Sequence, residues 1–197
     1  MSTRLLLIRH AEPEIDAQRR CYGSLDVPLS SRGERQARAL TWRLAAEPLS
    51  AVYSSPRRRS LDTARVIAER HGREPCVEDD LREIEFGAFD GREYDEIARS
   101  YPEIYATWMT RPTEVAFPDG ESFTDLRERS IAAMERLLER HRDGTIAVVS
   151  HGGPIRAMLA HELGLADEAI FRIGQRYGAV SELRHDGSGS ILWAVNS

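Results

Sequence analysis

The chain has 197 residues, 41% hydrophobic and 30% charged, a soluble globular composition rather than a disordered one. A net charge of −5 argues against a nucleic-acid binder, whose footprint is a strong positive excess. The apolar runs 5–8 and 146–149 are far too short to span a bilayer, which needs about 20 residues. All 27 basic residues are arginine. A chain without lysine has no amine for Schiff-base chemistry or a Walker-type phosphate loop. Guanidinium is left as the permanent cation, and its fork suits phosphate oxygens. Base composition accounts for the arginine bias as a whole, so each arginine is judged by its setting. Cys21 and Cys76 make no Cys-x-x-Cys pair, which excludes a zinc ribbon or thioredoxin-type motif and leaves free thiols as the expectation. Charge returns by Arg9, too early for the apolar core of a secretory leader, so a cytoplasmic protein is expected.

Residues 4–8 read as a buried strand, followed by an irregular polar stretch over 11–30. A helix is expected over 31–46, with Ala37, Leu40 and Leu44 on one face. A short strand follows at 51–53. Pro56 suits the first turn of a helix reaching about His71, whose apolar face is Leu61, Ala64, Ile67 and Ala68. Another short strand falls at 75–77. The stretch 81–120 reads as a helical excursion from the core, with short helices near 93–100 and 103–109. Ser122 and Asp125 form a capping box opening a long helix to about Arg142. Residues 145–149 are a strong strand, 154–163 the next helix, and 180–183 with 191–195 two strands joined by a Gly-rich turn. Alternating strands and helices predict an α/β fold: three α/β/α layers, a mostly parallel sheet with at least one antiparallel strand, and the helical excursion. The whole chain, 1–197, is expected to form one domain, with the excursion at about 88–121.

Functional groups in such sheets gather where strands end. The first strand ends in Ile8-Arg9-His10 and the strong later one in Ser150-His151-Gly152-Gly153. If both are central and parallel, His10 and His151 leave the same edge. Arg57, Arg58 and Arg59 open the helix after the second strand, and Leu81-Arg82-Glu83 follows the third. Two histidines, several arginines and a carboxylate would attract a tetrahedral dianion. Neutral histidine can attack phosphorus, guanidinium neighbours lower its pKa, and a carboxylic acid can serve the leaving alcohol. Taken singly, each residue has an ordinary reading. His10 could be a packed histidine, the arginine run a solvated helix face, and Glu83 one of 32 acids. Glu12 and Glu14 read as loop surface. His71, His141, His161 and His185 read as surface or packing residues. Metal ligation lacks any His-x-x-x-His or close acid–His spacing.

Together these residues resemble the histidine phosphatase superfamily, the phosphoglycerate mutase-like proteins. Leu6-Leu-Ile-Arg-His-Ala-Glu12 resembles the Arg-His-Gly signature. Pro28-Leu-Ser-Ser-Arg-Gly33 with Gln36-Ala37, Tyr53-Ser-Ser-Pro-Arg-Arg-Arg-Ser-Leu-Asp-Thr-Ala64, Leu81-Arg-Glu-Ile-Glu-Phe-Gly87 and Val149-Ser-His-Gly-Gly-Pro-Ile-Arg156 resemble further family segments in family order. The resemblance selects Arg59 over its neighbours and Glu83 over Glu85. It implies a metal-independent phosphatase without cofactor, with His10 as nucleophile and Glu83 as proton donor and later base. Arg9, Arg59 and His151 would hold the phosphoryl oxygens, and the amides of Gly23 and Gly152 would add phosphate contacts. The implied partners are a small phosphorylated metabolite and product phosphate, with no nucleic acid or membrane and a homodimer left open.

Departures are visible. Ala11 replaces the commonest glycine. Asp16 stands near a phosphate-binding asparagine of many members, where an acid would repel phosphate. The excursion is shorter than in cofactor-dependent mutases, and Met109 and Thr110 follow Trp108 where those mutases carry an arginine pair. Hydrolysis is therefore expected over phosphoglycerate mutase-type transfer. A phosphoprotein- or phosphohistidine-recognising module is the non-catalytic alternative. The segments 21–29, 119–122 and 177–181 are similar to those of α-ribazole phosphatases of cobalamin assembly. Tyr94, Tyr101, Tyr105, Trp108 and Arg111 of the excursion could face either ligand or core.

Overall fold

Period-two alternation in β1 (Thr3–Arg9) sets the layers: Leu5 and Leu7 enter one apolar cluster, Leu6 and Ile8 another. The computed structural model describes residues 2–14 and 19–197. Five further strands are β2 (Leu49–Ser54), β3 (Cys76–Val77), β4 (Thr145–Ser150), β5 (Val180–His185) and β6 (Ser190–Ala194). The sheet order is β3-β2-β4-β1-β5-β6. β1 and β4 are adjacent and parallel, β2 pairs parallel with β4 and β3, and β5 runs antiparallel to both neighbours. Every residue of β4 is buried, as a central strand covered on both faces requires.

Helices α1 (Ser31–Arg43) and α2 (Arg58–Arg70) cover one face. Leu40, Ala64, Ile67 and Ala68 pack there against Leu6, Ile8, Ala147 and Val149. The excursion supplies α3 (Tyr94–Ser100) and α4 (Pro102–Thr110). Helices α5 (Phe123–Arg140) and α6 (Gly152–Glu162) cover the opposite face. Leu126, Met134, Leu137, Ile155 and Leu159 pack there on Leu5, Leu7, Ile146 and Val148. A third cluster joins Cys21, Phe89, Ile97, Val115 and Phe117 beneath the excursion. Tyr101 belongs to it, its ring 5.0 Å from that of Phe89, so it faces core rather than ligand. Among the described residues no helix is long and apolar enough to cross a membrane. Cys21 and Cys76 are both free.

Two helix starts differ from the sequence reading. α2 begins at Arg58, with Arg57 as N-cap, so Pro56 precedes the helix. The amide of Arg58 is satisfied from a distance by Asp26 Oδ1, at 2.7 Å. α6 begins at Gly152 rather than Pro154, with His151 as its N-cap. Proline is tolerated anywhere in a first turn, where its missing N–H has no intrahelical partner to lose. The long helix shows the expected capping box: Ser122 Oγ accepts from Asp125 N at 3.2 Å, and Asp125 Oδ2 accepts from Ser122 N at 2.8 Å. Ser122→Ala is expected to lower unfolding free energy by about 1 kcal/mol, read by denaturant titration.

Candidate active site

The β1–β4 register pairs Ile8 with Val149 and Arg9 with Ser150, so the next residues, His10 and His151, leave the sheet side by side. The His10 amide extends the ladder by donating to the Ser150 carbonyl at 2.9 Å. The two imidazole centroids lie 5.0 Å apart, and both rings are buried.

His10 Nδ1 lies 2.7 Å from the Ala11 carbonyl oxygen. A carbonyl only accepts, so Nδ1 carries the proton and Nε2 keeps its lone pair. Burial, then the charges of Arg59 and Arg9, hold the His10 pKa well below the ordinary histidine range. The ring is therefore neutral near pH 7 and offers a nucleophilic nitrogen. His151 is held down in the same way, by burial first and then by Arg59. Its Nε2 lies 2.8 Å from Ser55 Oγ, which already accepts from the Arg57 amide at 3.2 Å. Among the described residues the buried Ser55 hydroxyl has no other acceptor, so it donates its proton to Nε2, which leaves the His151 proton on Nδ1. That buried Nδ1 has no partner among the described residues. It is a donor in want of an acceptor oxygen.

The arginines are fixed by carbonyls rather than by carboxylates. Arg59 is fully buried on α2. Its Nη1 donates to Leu25 O at 2.8 Å and its Nη2 to Gly23 O at 2.9 Å. Its Nε has no partner among the described residues. Its neighbours in the run are engaged elsewhere, Arg57 with Glu85 at 3.5 Å and Arg58 with Asp62 at 3.4 Å. Arg9 Nη1 donates to Gln175 O at 2.5 Å, and its Nε is likewise without a partner among the described residues. Each guanidinium sits over a tyrosine ring: Arg9 over Tyr177 at 4.0 Å and Arg59 over Tyr22 at 5.0 Å. The two tyrosine hydroxyls are themselves 2.6 Å apart, which ties the two supports together.

Glu83 enters from the loop after β3. Its Oε1 accepts from Ile84 N at 3.1 Å and its Oε2 from Gly153 N at 3.4 Å. A Cβ on Gly153 would stand 2.4 Å from Oε1, so glycine there leaves the carboxylate room at this position. Arg129 of α5 holds this loop through the carbonyls of Asp80, Arg82 and Glu83, at 2.8, 2.7 and 3.1 Å. Glu85 is engaged instead by Arg82 at 3.2 Å and Arg57 at 3.5 Å.

Not every expected contact is free. The Gly23 amide donates to Asp90 Oδ1 at 2.6 Å, so it is not a vacant phosphate donor. Gly23 serves through its carbonyl instead, as a ligand of Arg59. Glu12 is not bare loop surface, because its Oε1 accepts from Ser30 Oγ at 3.0 Å. Asp16 lies outside the described residues. Gly152, first residue of α6, places the helix N-terminus beside Arg9.

Arg9, His10, Arg59 and Glu83 line one pocket of about 390 Å³, walled by the rings of Tyr22, Phe86, Tyr94 and Tyr177. Tyr22, Tyr177, Asp90, Ser55 and Arg129 were not assigned roles from sequence. Tyr22 and Tyr177 do lie in the similar segments noted above, but only the fold shows their contact. No group of three or more His, Cys, Asp or Glu among the described residues is placed to hold a metal. The arrangement can bind a phosphoryl dianion between two guanidiniums, a neutral imidazole donor and a helix N-terminus, with a nucleophile beneath and a carboxyl at the side.

Comparison with known proteins places the chain in a family. The profile of the histidine phosphatase superfamily (branch 1) matches residues 5–197. Phosphoserine phosphatase 1 of Hydrogenobacter thermophilus is 35% identical over 193 residues, covering 98% of this chain and 92% of that protein. The solved structure of Bacillus stearothermophilus YhfR superposes with a TM-score of 0.90 at 31% identity, covering 98% of this chain and 96% of that one. The α-ribazole phosphatase from Shigella flexneri gives a TM-score of 0.90 at 27% identity, covering 98% and 96%.

Proposed function

The chain belongs to the histidine phosphatase superfamily, and we propose that it is a metal-independent phosphomonoesterase working through a phosphohistidine on His10. The observation that carries this reading is the His10 ring. Its proton is committed to the Ala11 carbonyl, and its free nitrogen stands in a pocket with Arg9 and Arg59.

The cycle follows from these positions. The His10 Nε2 lone pair attacks phosphorus as the bond from phosphorus to the leaving oxygen breaks. Arg9, Arg59 and the His151 Nδ1–H stabilise the transferring oxygens, doing by fixed charge what metal ions do in other phosphoryl transfers. Glu83 gives its proton to the leaving alkoxide. Water then attacks the phosphohistidine, Glu83 takes up its proton, and the phosphorus–nitrogen bond breaks. Phosphate leaves and His10 returns to its neutral form.

For the substrate, the four rings around the pocket favour an apolar or aromatic leaving group over a strongly polar one. We place α-ribazole 5′-phosphate first among substrates to try, with phosphoserine beside it because a 35%-identical relative bears that name. The primary test is phosphate release from p-nitrophenyl phosphate in excess chelator. Turnover should be undiminished, and loss of activity restored by a divalent metal would overturn the reading.

Glu83→Gln separates its role from binding. Alkyl esters need a proton on the departing oxygen, and their turnover should fall about 10²–10⁴-fold. p-Nitrophenolate leaves without one, so its phosphorylation step should fall far less. Equal losses on both, measured in single turnover, would remove Glu83 as the acid.

A further inference from the structure

Beside the catalytic pocket lies a larger groove of about 840 Å³, between the end of α4 and the short 3-10 helix Asp167–Arg172. Tyr94, Tyr105, Trp108, Met109 and Phe171 line it. Tyr94, Met109 and Phe171 are 37%, 51% and 54% exposed, an apolar concentration that a purely structural wall would not need. Two links join it to the phosphoryl site. The Tyr94 side chain lines both cavities. Phe171 stacks under Arg156 at 5.4 Å, and Arg156 Nη1 in turn lies 2.9 Å from the place of a Gly152 Cβ, beside Arg9. The groove's charges are unsuited to a second anion. Arg111 is paired with Glu114 at 2.9 Å, and Glu168 adds a carboxylate.

We propose that this groove is a leaving-group subsite. A phosphomonoester seated on His10 extends past Tyr94, and its uncharged apolar distal part lies against Trp108, Met109 and Phe171. The substrate class is therefore the phosphate ester of an extended apolar alcohol, longer than the 390 Å³ pocket alone would hold. This rests on the phosphatase reading and narrows it.

The test is a series of n-alkyl phosphates from ethyl to decyl, used below their micelle concentrations. In the wild type, kcat/KM should rise once the chain passes the inner pocket, by up to about fourfold for each further methylene buried. Met109→Asp and Phe171→Asp change exposed positions, and each should cut the decyl-to-ethyl ratio of kcat/KM at least about tenfold. Binding of the same esters to His10→Ala, by calorimetry, should show the same dependence without turnover. A ratio flat with chain length, or one that both substitutions leave unchanged, overturns the subsite. If sedimentation shows that the substitutions instead dissociate a dimer while the ratio stays constant, the groove is a contact between copies and the proposal fails. Absence of turnover on every ester would count against the phosphatase reading, and the calorimetric series would still decide the subsite.

Discussion

His10→Ala is expected to lower turnover by at least about 10⁴-fold while the protein stays folded. Arg9, Arg59, Glu83 and His151 do not compensate, because none of them offers an unprotonated, unengaged nitrogen aimed at phosphorus. The structural cost is modest. The substitution leaves the Ala11 carbonyl without its 2.7 Å donor and opens a small buried space, together about 1–3 kcal/mol. Circular dichroism and phosphate binding should therefore survive the loss of rate. Turnover at the wild-type rate would contradict the mechanism, and loss of fold would call for His10→Asn as the substitute.

The same environment sets a pH signature. Burial and two guanidiniums favour the neutral ring, so His10 and His151 should not titrate at the ordinary histidine value of about 6.5. Their imidazole resonances should show no titration step at that value. Linkage has a definite sign. Below about 6.5 the unfolded chain binds protons that the folded rings refuse, so these two groups make stability fall with falling pH. A midpoint at about 6.5 for His10 would mean that the ring is not shielded as its contacts require.

Arg59→Met carries the second large effect, and it acts on activity and stability together. The guanidinium is the common ligand of the Tyr22, Gly23 and Leu25 carbonyls, at 3.3, 2.9 and 2.8 Å. Without it the 22–25 segment loses its anchor and the pocket loses one of its two guanidiniums. Turnover should fall about 10³-fold. Stability should fall by about 2–4 kcal/mol, since buried carbonyls are left unpaired. Arg59→Lys should rescue little, because one ammonium cannot reproduce a planar fork spread across three carbonyls. Inorganic phosphate should raise the melting temperature of the wild type and not that of Arg59→Met. An undiminished phosphate shift in the variant would remove Arg59 from the site.

What was legible in the sequence were features with local signals. Alternation in 3–9, the apolar run of 146–149 and the Ser122–Asp125 cap each act within a few residues, and the sheet and long helix follow from them. The convergence of His10, His151, Arg59 and Glu83 was legible only through strand ends and family segments, since no local rule joins residues so far apart. What escaped depends on partners distant in the chain. Asp90 takes the Gly23 amide, and Asp26 supplies the first turn of α2 from 32 positions away. The Tyr22–Tyr177 contact spans 155 positions, and neither tyrosine differs locally from a surface one. The start of α6 was misplaced because Gly152 and Gly153 read as loop. In the fold they are the helical turn that lets Glu83 and Arg156 approach.

In this mechanism a phosphoryl group rests on His10 during turnover. Acid-free quenching of the enzyme with saturating p-nitrophenyl phosphate, followed by peptide mass spectrometry at alkaline pH, tests it directly. One phosphoryl group is expected on the peptide containing His10, stable to alkali, lost in acid, and absent from His10→Ala. Phosphoryl on another residue, or a burst of p-nitrophenolate in His10→Ala as large as in the wild type, would contradict it.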